Sequence, residues 1–196
     1  NYFFFETGRR IGINVMNSYC QLMGLGVRTG VELPESAGTL AGPAYTNSIN
    51  ASWYPGDTLQ AAIGQSYNLF TPLQLATYTA TIANGGTRYN SHLLYQVKSH
   101  DLSETIVDNT SYVAAETGFT ANAIDVVKQG MLSAAFEGTA SSVFGNYSIE
   151  VGGKTGTAET IGENNGVFIS FAPYENSEIA VAIVIEHGIH GYLGAP

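Results

Sequence analysis

Basic residues are scarce in this chain of 196 residues: Lys and Arg together number 7, against 16 Asp and Glu. The formal net charge of -9 and the pI near 4.7 argue against a nucleic-acid partner, whose binding surface needs clustered Lys and Arg. Only Arg9 and Arg10 stand side by side, and two adjacent arginines are more often solvated or ion-paired than part of a patch. Cysteine is nearly absent. Cys20 alone excludes an internal disulfide and leaves the redox compartment open. Its apolar helical surroundings favour a small buried hydrophobe over a reactive thiol. No apolar run of about twenty residues occurs, so nothing here spans a membrane as a helix. Asn1-Tyr2-Phe3-Phe4-Phe5 is too short for a signal peptide and lacks a basic start. The pattern opens abruptly, which suggests a piece of a longer protein.

What is present points to one globular domain with a sizeable core: 44% hydrophobic residues, 12% charged and 23 glycines. From Tyr2 to Leu25, Ile11, Val15, Tyr19 and Leu22 recur at helical spacing, with Gly24 and Gly26 as the stop. Residues 27–56, rich in Gly, Pro, Ser and Asn, read as an extended loop that lines or covers something. Thr71-Pro72-Leu73-Gln74 is a helix start with a capping box, and the helix ends at Asn84-Gly85-Gly86. Residues 87–116 read as short strands or loops. Thr120 caps a second helix with Ile124, Val127, Met131 and Ala135 on one face. Period two then takes over, predicting antiparallel strands at 148–158, 166–172 and 178–186. The last is apolar on both faces, so helices should sandwich the sheet in an α+β fold.

The segment Glu150-Val151-Gly152-Gly153-Lys154-Thr155-Gly156-Thr157-Ala158-Glu159 carries the chemistry. It places one of only three lysines (Lys98, Lys128, Lys154) and two threonine hydroxyls on a predicted strand. A phosphate-binding loop is a poor match. It needs a glycine five residues before that of Gly-Lys-Thr, where Ser148 stands, and Ile149-Glu150-Val151 is an acidic, extended stretch. A surface strand with an isolated lysine is the bland alternative. Lys-Thr-Gly is also one of three signatures of penicillin-recognising serine acyl-transfer enzymes, beside Ser-x-x-Lys and Ser-x-Asn.

Several further segments lift the match above that alternative. They are Asn1–Arg10, Leu33-Pro34-Glu35-Ser36-Ala37-Gly38, Trp53-Tyr54-Pro55-Gly56-Asp57-Thr58, Ala62-Ile63-Gly64-Gln65-Ser66-Tyr67, Thr71-Pro72-Leu73-Gln74-Leu75-Ala76, Ala83-Asn84-Gly85-Gly86 and Phe168-Ile169-Ser170-Phe171-Ala172-Pro173. In this order, and over nearly the whole chain, they resemble the C-terminal part of a class B penicillin-binding protein transpeptidase domain. The details look most like the cell-elongation subgroup. The resemblance implies residues 1–196 as a partial transpeptidase domain of the β-lactamase-like fold.

The departures matter as well. None of the three lysines has a serine three residues before it; positions 95, 125 and 151 are Tyr, Asp and Val. The family's Ser-x-x-Lys, with its nucleophile, is therefore not in this chain. Asn1 matches the last residue of Ser-x-Asn. Ser66-Tyr67-Asn68 and Ser48-Ile49-Asn50 also spell that motif, but in the family's order they fall after it and read as decoys. His187–Pro196 resembles the connection into the family's last helix.

By resemblance, the parent protein crosslinks peptidoglycan stem peptides ending in D-Ala-D-Ala by serine acyl transfer and is acylated by β-lactams. It would be anchored at the extracytoplasmic face of the bacterial plasma membrane beside a membrane glycosyltransferase. No cofactor or metal is implied. The Thr157 N–H would complete the oxyanion hole, the Thr155 and Thr157 hydroxyls and the Lys154 charge would hold the substrate carboxylate, and Asn1 would bind the substrate backbone. Gly152, Gly153 and Gly156 would let nucleophile and substrate come close. A non-catalytic β-lactam-sensing domain of the same fold is the alternative function. The chain alone is expected to be inert and, with an apolar sheet face and strand edge uncovered, self-associating. His187 and His190 read as loop histidines rather than metal ligands. A His/Asp/Ser triad has no distinguishing spacing here. Trp53 and Tyr54 read as loop anchors before groove walls.

Overall fold

The structure, a computed structural model, describes residues 1–160 and 162–188. The expected N-terminal helix is two helices, α1 (Tyr2–Ile11) and α2 (Ile13–Leu22). Gly12 breaks them apart at φ 80, ψ 152, a backbone conformation open to glycine but not to residues carrying a Cβ. The apolar spacing runs through the break, which is why periodicity missed it. α1 lies on the later helix α4 (Pro55–Ala62), and Gly8 permits the close approach, since a Cβ there would overlap the Ala62 side chain.

The stretch 27–56 is not wholly extended. It holds the short helix α3 (Pro43–Ser48) and the start of α4, both entered through proline at the first helical position. Thr39 pairs with Leu69 in an isolated bridge. The helix at Thr71 forms as its sequence predicts: α5 (Pro72–Ala83) is capped by Thr71 Oγ1 accepting the Gln74 N–H, while Gln74 Oε1 accepts the Thr71 N–H. Four short strands follow, β1 (Thr87–Tyr89), β2 (Gln96–Lys98), β3 (Thr105–Asp108) and β4 (Val113–Glu116), paired antiparallel as β1–β4 and β2–β3. Thr120 caps α6 (Ala121–Phe136) by accepting the Ala123 N–H, and α7 (Ser141–Phe144) leads to the main sheet.

That sheet has the order β5 (Gly152–Ala158), β6 (Asn165–Ala172), β7 (Ile179–Ile185), antiparallel throughout. Helices lie on both faces. On one face Phe171 and Ile169 pack with Met23, Ile82 and Met131. Ala180 and Ala182, opposite Phe171 and Ile169 in the register, share that face, and their small side chains admit α5. On the other face Phe168 packs with Phe144, Val151, Ala135 and Ala140, with the Phe144 and Phe168 rings stacked 5.7 Å apart. Ile179, Val181 and Ile185 continue this second face by register and remain exposed among the described residues, Ile179 by 61%. Lys128, beside the first of these clusters, donates to the Ala83 carbonyl at 3.2 Å and lies over the Phe171 and Tyr174 rings. Cys20 is half-buried, and desolvation pushes its thiol pKa up, in keeping with an apolar rather than reactive role.

Candidate active site

The strand β5 brings Lys154, Thr155, Gly156 and Thr157 together, as its period-two pattern requires. Thr155 lies opposite Phe168 and Lys154 opposite Ile169, so the threonine and lysine side chains leave the strand on opposite faces. Among the described residues β5 pairs with β6 alone. The Thr155 carbonyl accepts the Lys154 ammonium at 2.6 Å, and the Thr157 carbonyl accepts Gln65 Nε2 at 3.2 Å. Residues two apart on a strand present their main-chain groups to the same edge. Thr155 and Thr157 thus aim N–H and C=O outward, away from β6. A strand edge with outward amides can receive an extended peptide or a developing oxyanion.

The Lys154 side chain reaches solvent, yet the protein around it withdraws enough water to lower its pKa. Thr155 Oγ1 shares a 2.7 Å hydrogen bond with Thr139 Oγ1, a partner that sits between α6 and α7 and carries no motif. The glycines divide into two kinds. A Cβ on Gly152 would overlap the Phe171 ring, and one on Gly153 would press on the Phe168 ring at 3.0 Å. The space over these two glycines is therefore filled by the protein's own core, not by a nucleophile or substrate. At Gly156 a Cβ would meet Val167 at an ordinary 3.5 Å, leaving that position uncrowded.

Asn1 stands exposed at the start of α1, where its carbonyl accepts the Phe5 N–H at 3.0 Å and its side chain makes no capping bond. Its helix connects to β5 through α4, whose C-terminal turn carries Gln65. Gln65 touches the candidate site through Thr157, a contact that no local sequence signal announces. In the two other Ser-x-Asn sequences, two of the side chains bond the main chain. Asn68 accepts the Ala41 N–H and donates to Ala61 O, and Ser48 donates to Tyr45 O. Trp53 Nε1 donates to Thr58 Oγ1, as a loop anchor does, whereas Tyr54 is 65% exposed and its main-chain N–H, donated to Asp57 Oδ2, helps start α4. The His187 N–H bonds Asn165 Oδ1, and His190 lies outside the described residues.

A family model described as the penicillin binding protein transpeptidase domain matches residues 1–195. The peptidoglycan D,D-transpeptidase MrdA of Acinetobacter baumannii is 32% identical over 209 aligned positions, covering 96% of this chain and 30% of that protein. PBP2 of Pseudomonas aeruginosa superposes with a TM-score of 0.85 at 29% identity, covering 100% of this chain and 44% of that one. Penicillin-binding protein A of M. tuberculosis, solved as its imipenem acyl-enzyme, gives 0.83 at 26% identity over 98% of this chain and 42% of that one. The chain thus spans under half of the length of each relative.

Proposed function

The chain belongs to the penicillin-binding protein transpeptidase family, and from that membership we propose that it forms the C-terminal part of a serine-type peptidoglycan D,D-transpeptidase of the elongation type. The observation that carries the proposal is the edge of β5, where Thr155 and Thr157 of the Lys154-Thr155-Gly156-Thr157 run turn their main-chain groups outward beside an ammonium. These 196 residues contain no Ser-x-x-Lys sequence, so the proposal assigns the nucleophilic serine to another segment of the full-length polypeptide. That serine oxygen bonds to the carbonyl carbon between two D-alanines. The C–N bond breaks, and the hydroxyl proton ends on the departing amine. The Thr157 N–H receives the carbonyl oxygen as its charge develops. Lys154 and the Thr155 and Thr157 hydroxyls hold the terminal carboxylate, and the Asn1 amide holds the donor peptide's backbone. An amine of a second stem peptide then attacks the ester carbon, the serine oxygen recovers a proton, and the crosslink forms. A β-lactam enters the same first step. The resemblance extends the proposal to a membrane-anchored polypeptide acting outside the cytoplasm beside a membrane glycosyltransferase.

Fluorescent penicillin tests this. The full-length polypeptide should carry a covalent label on a serine outside residues 1–196, and the 196-residue chain should carry none. An unlabelled full-length protein sinks both the enzyme assignment and the β-lactam-sensing alternative, and leaves an inactive domain of the same fold. A labelled isolated chain sinks its proposed inertness. With Ile179, Val181 and Ile185 exposed on β7, the isolated chain should also sediment as oligomers; a monodisperse monomer counts against that.

A further inference from the structure

Gln65 joins two parts of the molecule that are distant in sequence, and the turn that presents it is tightly held. After α4, the Gln65 N–H bonds the Gln60 carbonyl at 3.0 Å. Gly64 and Ser66 on either side both have positive φ, 84 and 66, a conformation that residues with a side chain rarely adopt. Asn68 ties the turn to Ala41 and Ala61, and Leu69 exchanges backbone bonds with Thr39. From this support the side chain donates to the Thr157 carbonyl, 92 positions along the chain. In the other direction α4 carries α1 through the Gly8–Ala62 contact, and α1 begins at Asn1. Asn1, α1, α4, Gln65 and Thr157 are thus linked by one continuous series of contacts.

We propose that Gln65 is a positioning residue of the acyl-transfer site, setting the orientation of Thr157 and its spacing from the α1–α4 pair. This rests on the function proposed above. Donation to the Thr157 carbonyl restrains the strand around the residue whose N–H faces the developing oxyanion. The role belongs to the transition state more than to initial binding, so it should show in the acylation rate.

The experiment uses the full-length polypeptide and a fluorescent penicillin, with the limiting acylation rate separated from the half-saturating concentration. Gln65→Met keeps the length and removes the donor; Gln65→Glu keeps the shape and turns an acceptor toward the carbonyl. Gln65→Met should lower the limiting rate about 3- to 10-fold, as loss of one hydrogen bond implies, and Gln65→Glu should lower it further. Half-saturation should stay within about twofold and the melting temperature nearly unchanged. Wild-type rates in both variants would overturn the role of Gln65 alone. A loss that tracks the unfolded fraction, or one confined to half-saturation, would overturn it too. An unlabelled wild type overturns the acyl-transfer assignment itself.

Discussion

Lys154→Ala in the full-length polypeptide should lower acylation by penicillin at least about 100-fold, the scale on which removal of one transition-state electrostatic partner is felt. β5 holds no other lysine or arginine to take over its charge. Stability should barely move. The ammonium reaches solvent and donates to the carbonyl of the next residue; surface changes of this kind stay within about 0.5 kcal/mol. Lys154→Arg keeps the charge but replaces a compact ammonium with a broad planar fork, so it should recover only part of the rate. The pH profile supplies a second check. Desolvation lowers the Lys154 pKa from its ordinary 10.5, so the alkaline limb should begin below that value. In the same window the unfolded state holds more protons than the folded state, so this group makes the fold slightly more stable as pH rises. A rate that falls there cannot be blamed on unfolding driven by Lys154. Wild-type acylation by Lys154→Ala would remove the lysine from the site.

Much of this site is legible in the sequence because the signals are local. The Thr71–Gln74 capping box and the Thr120 cap need only four neighbouring residues. The strand that carries Lys154 announces itself by period two, and its role by a short motif. The parts that escaped are those made by contacts between distant segments. Nothing in the periodicity distinguishes Gln65 from any other polar turn residue, and its bond to Thr157 exists only once α4 and β5 are placed. The motif suggests that Gly152 and Gly153 make room for nucleophile and substrate, but the rings of Phe171 and Phe168 on the adjacent strand fill that space. A glycine records that something comes close, not what. Gly12 shows the same limit in reverse, since apolar spacing continues across a break that only φ and ψ reveal.

The largest effect on stability should come from Gln74, where a local signal conceals a distant one. As a cap residue it is worth about 1 kcal/mol, yet it is wholly buried, at 0% exposure. Its Nε2 donates to the Val27 carbonyl at 2.7 Å and the Ala37 carbonyl at 2.8 Å, 47 and 37 residues earlier, while its Oε1 accepts the Thr71 N–H. Gly38 lies against the same amide, where a Cβ would stand 2.7 Å from Oε1. One side chain therefore starts α5 and clasps the 27–42 loop to it. Gln74→Leu has a similar volume but leaves two carbonyls and one N–H without that partner, at about 1–3 kcal/mol for each group left buried and unpaired. Partial access to water brings the expected total to about 3–5 kcal/mol, against about 1 kcal/mol for Thr71→Ala. Denaturant unfolding of the full-length polypeptide should show that difference, and hydrogen exchange should show protection lost across residues 27–42. Because Ala41 in that loop bonds Asn68 in the turn bearing Gln65, the loosened clasp should also slow acylation in the fraction that remains folded. Equal costs for Gln74→Leu and Thr71→Ala would mean that Gln74 acts as a cap alone and that the loop is held elsewhere.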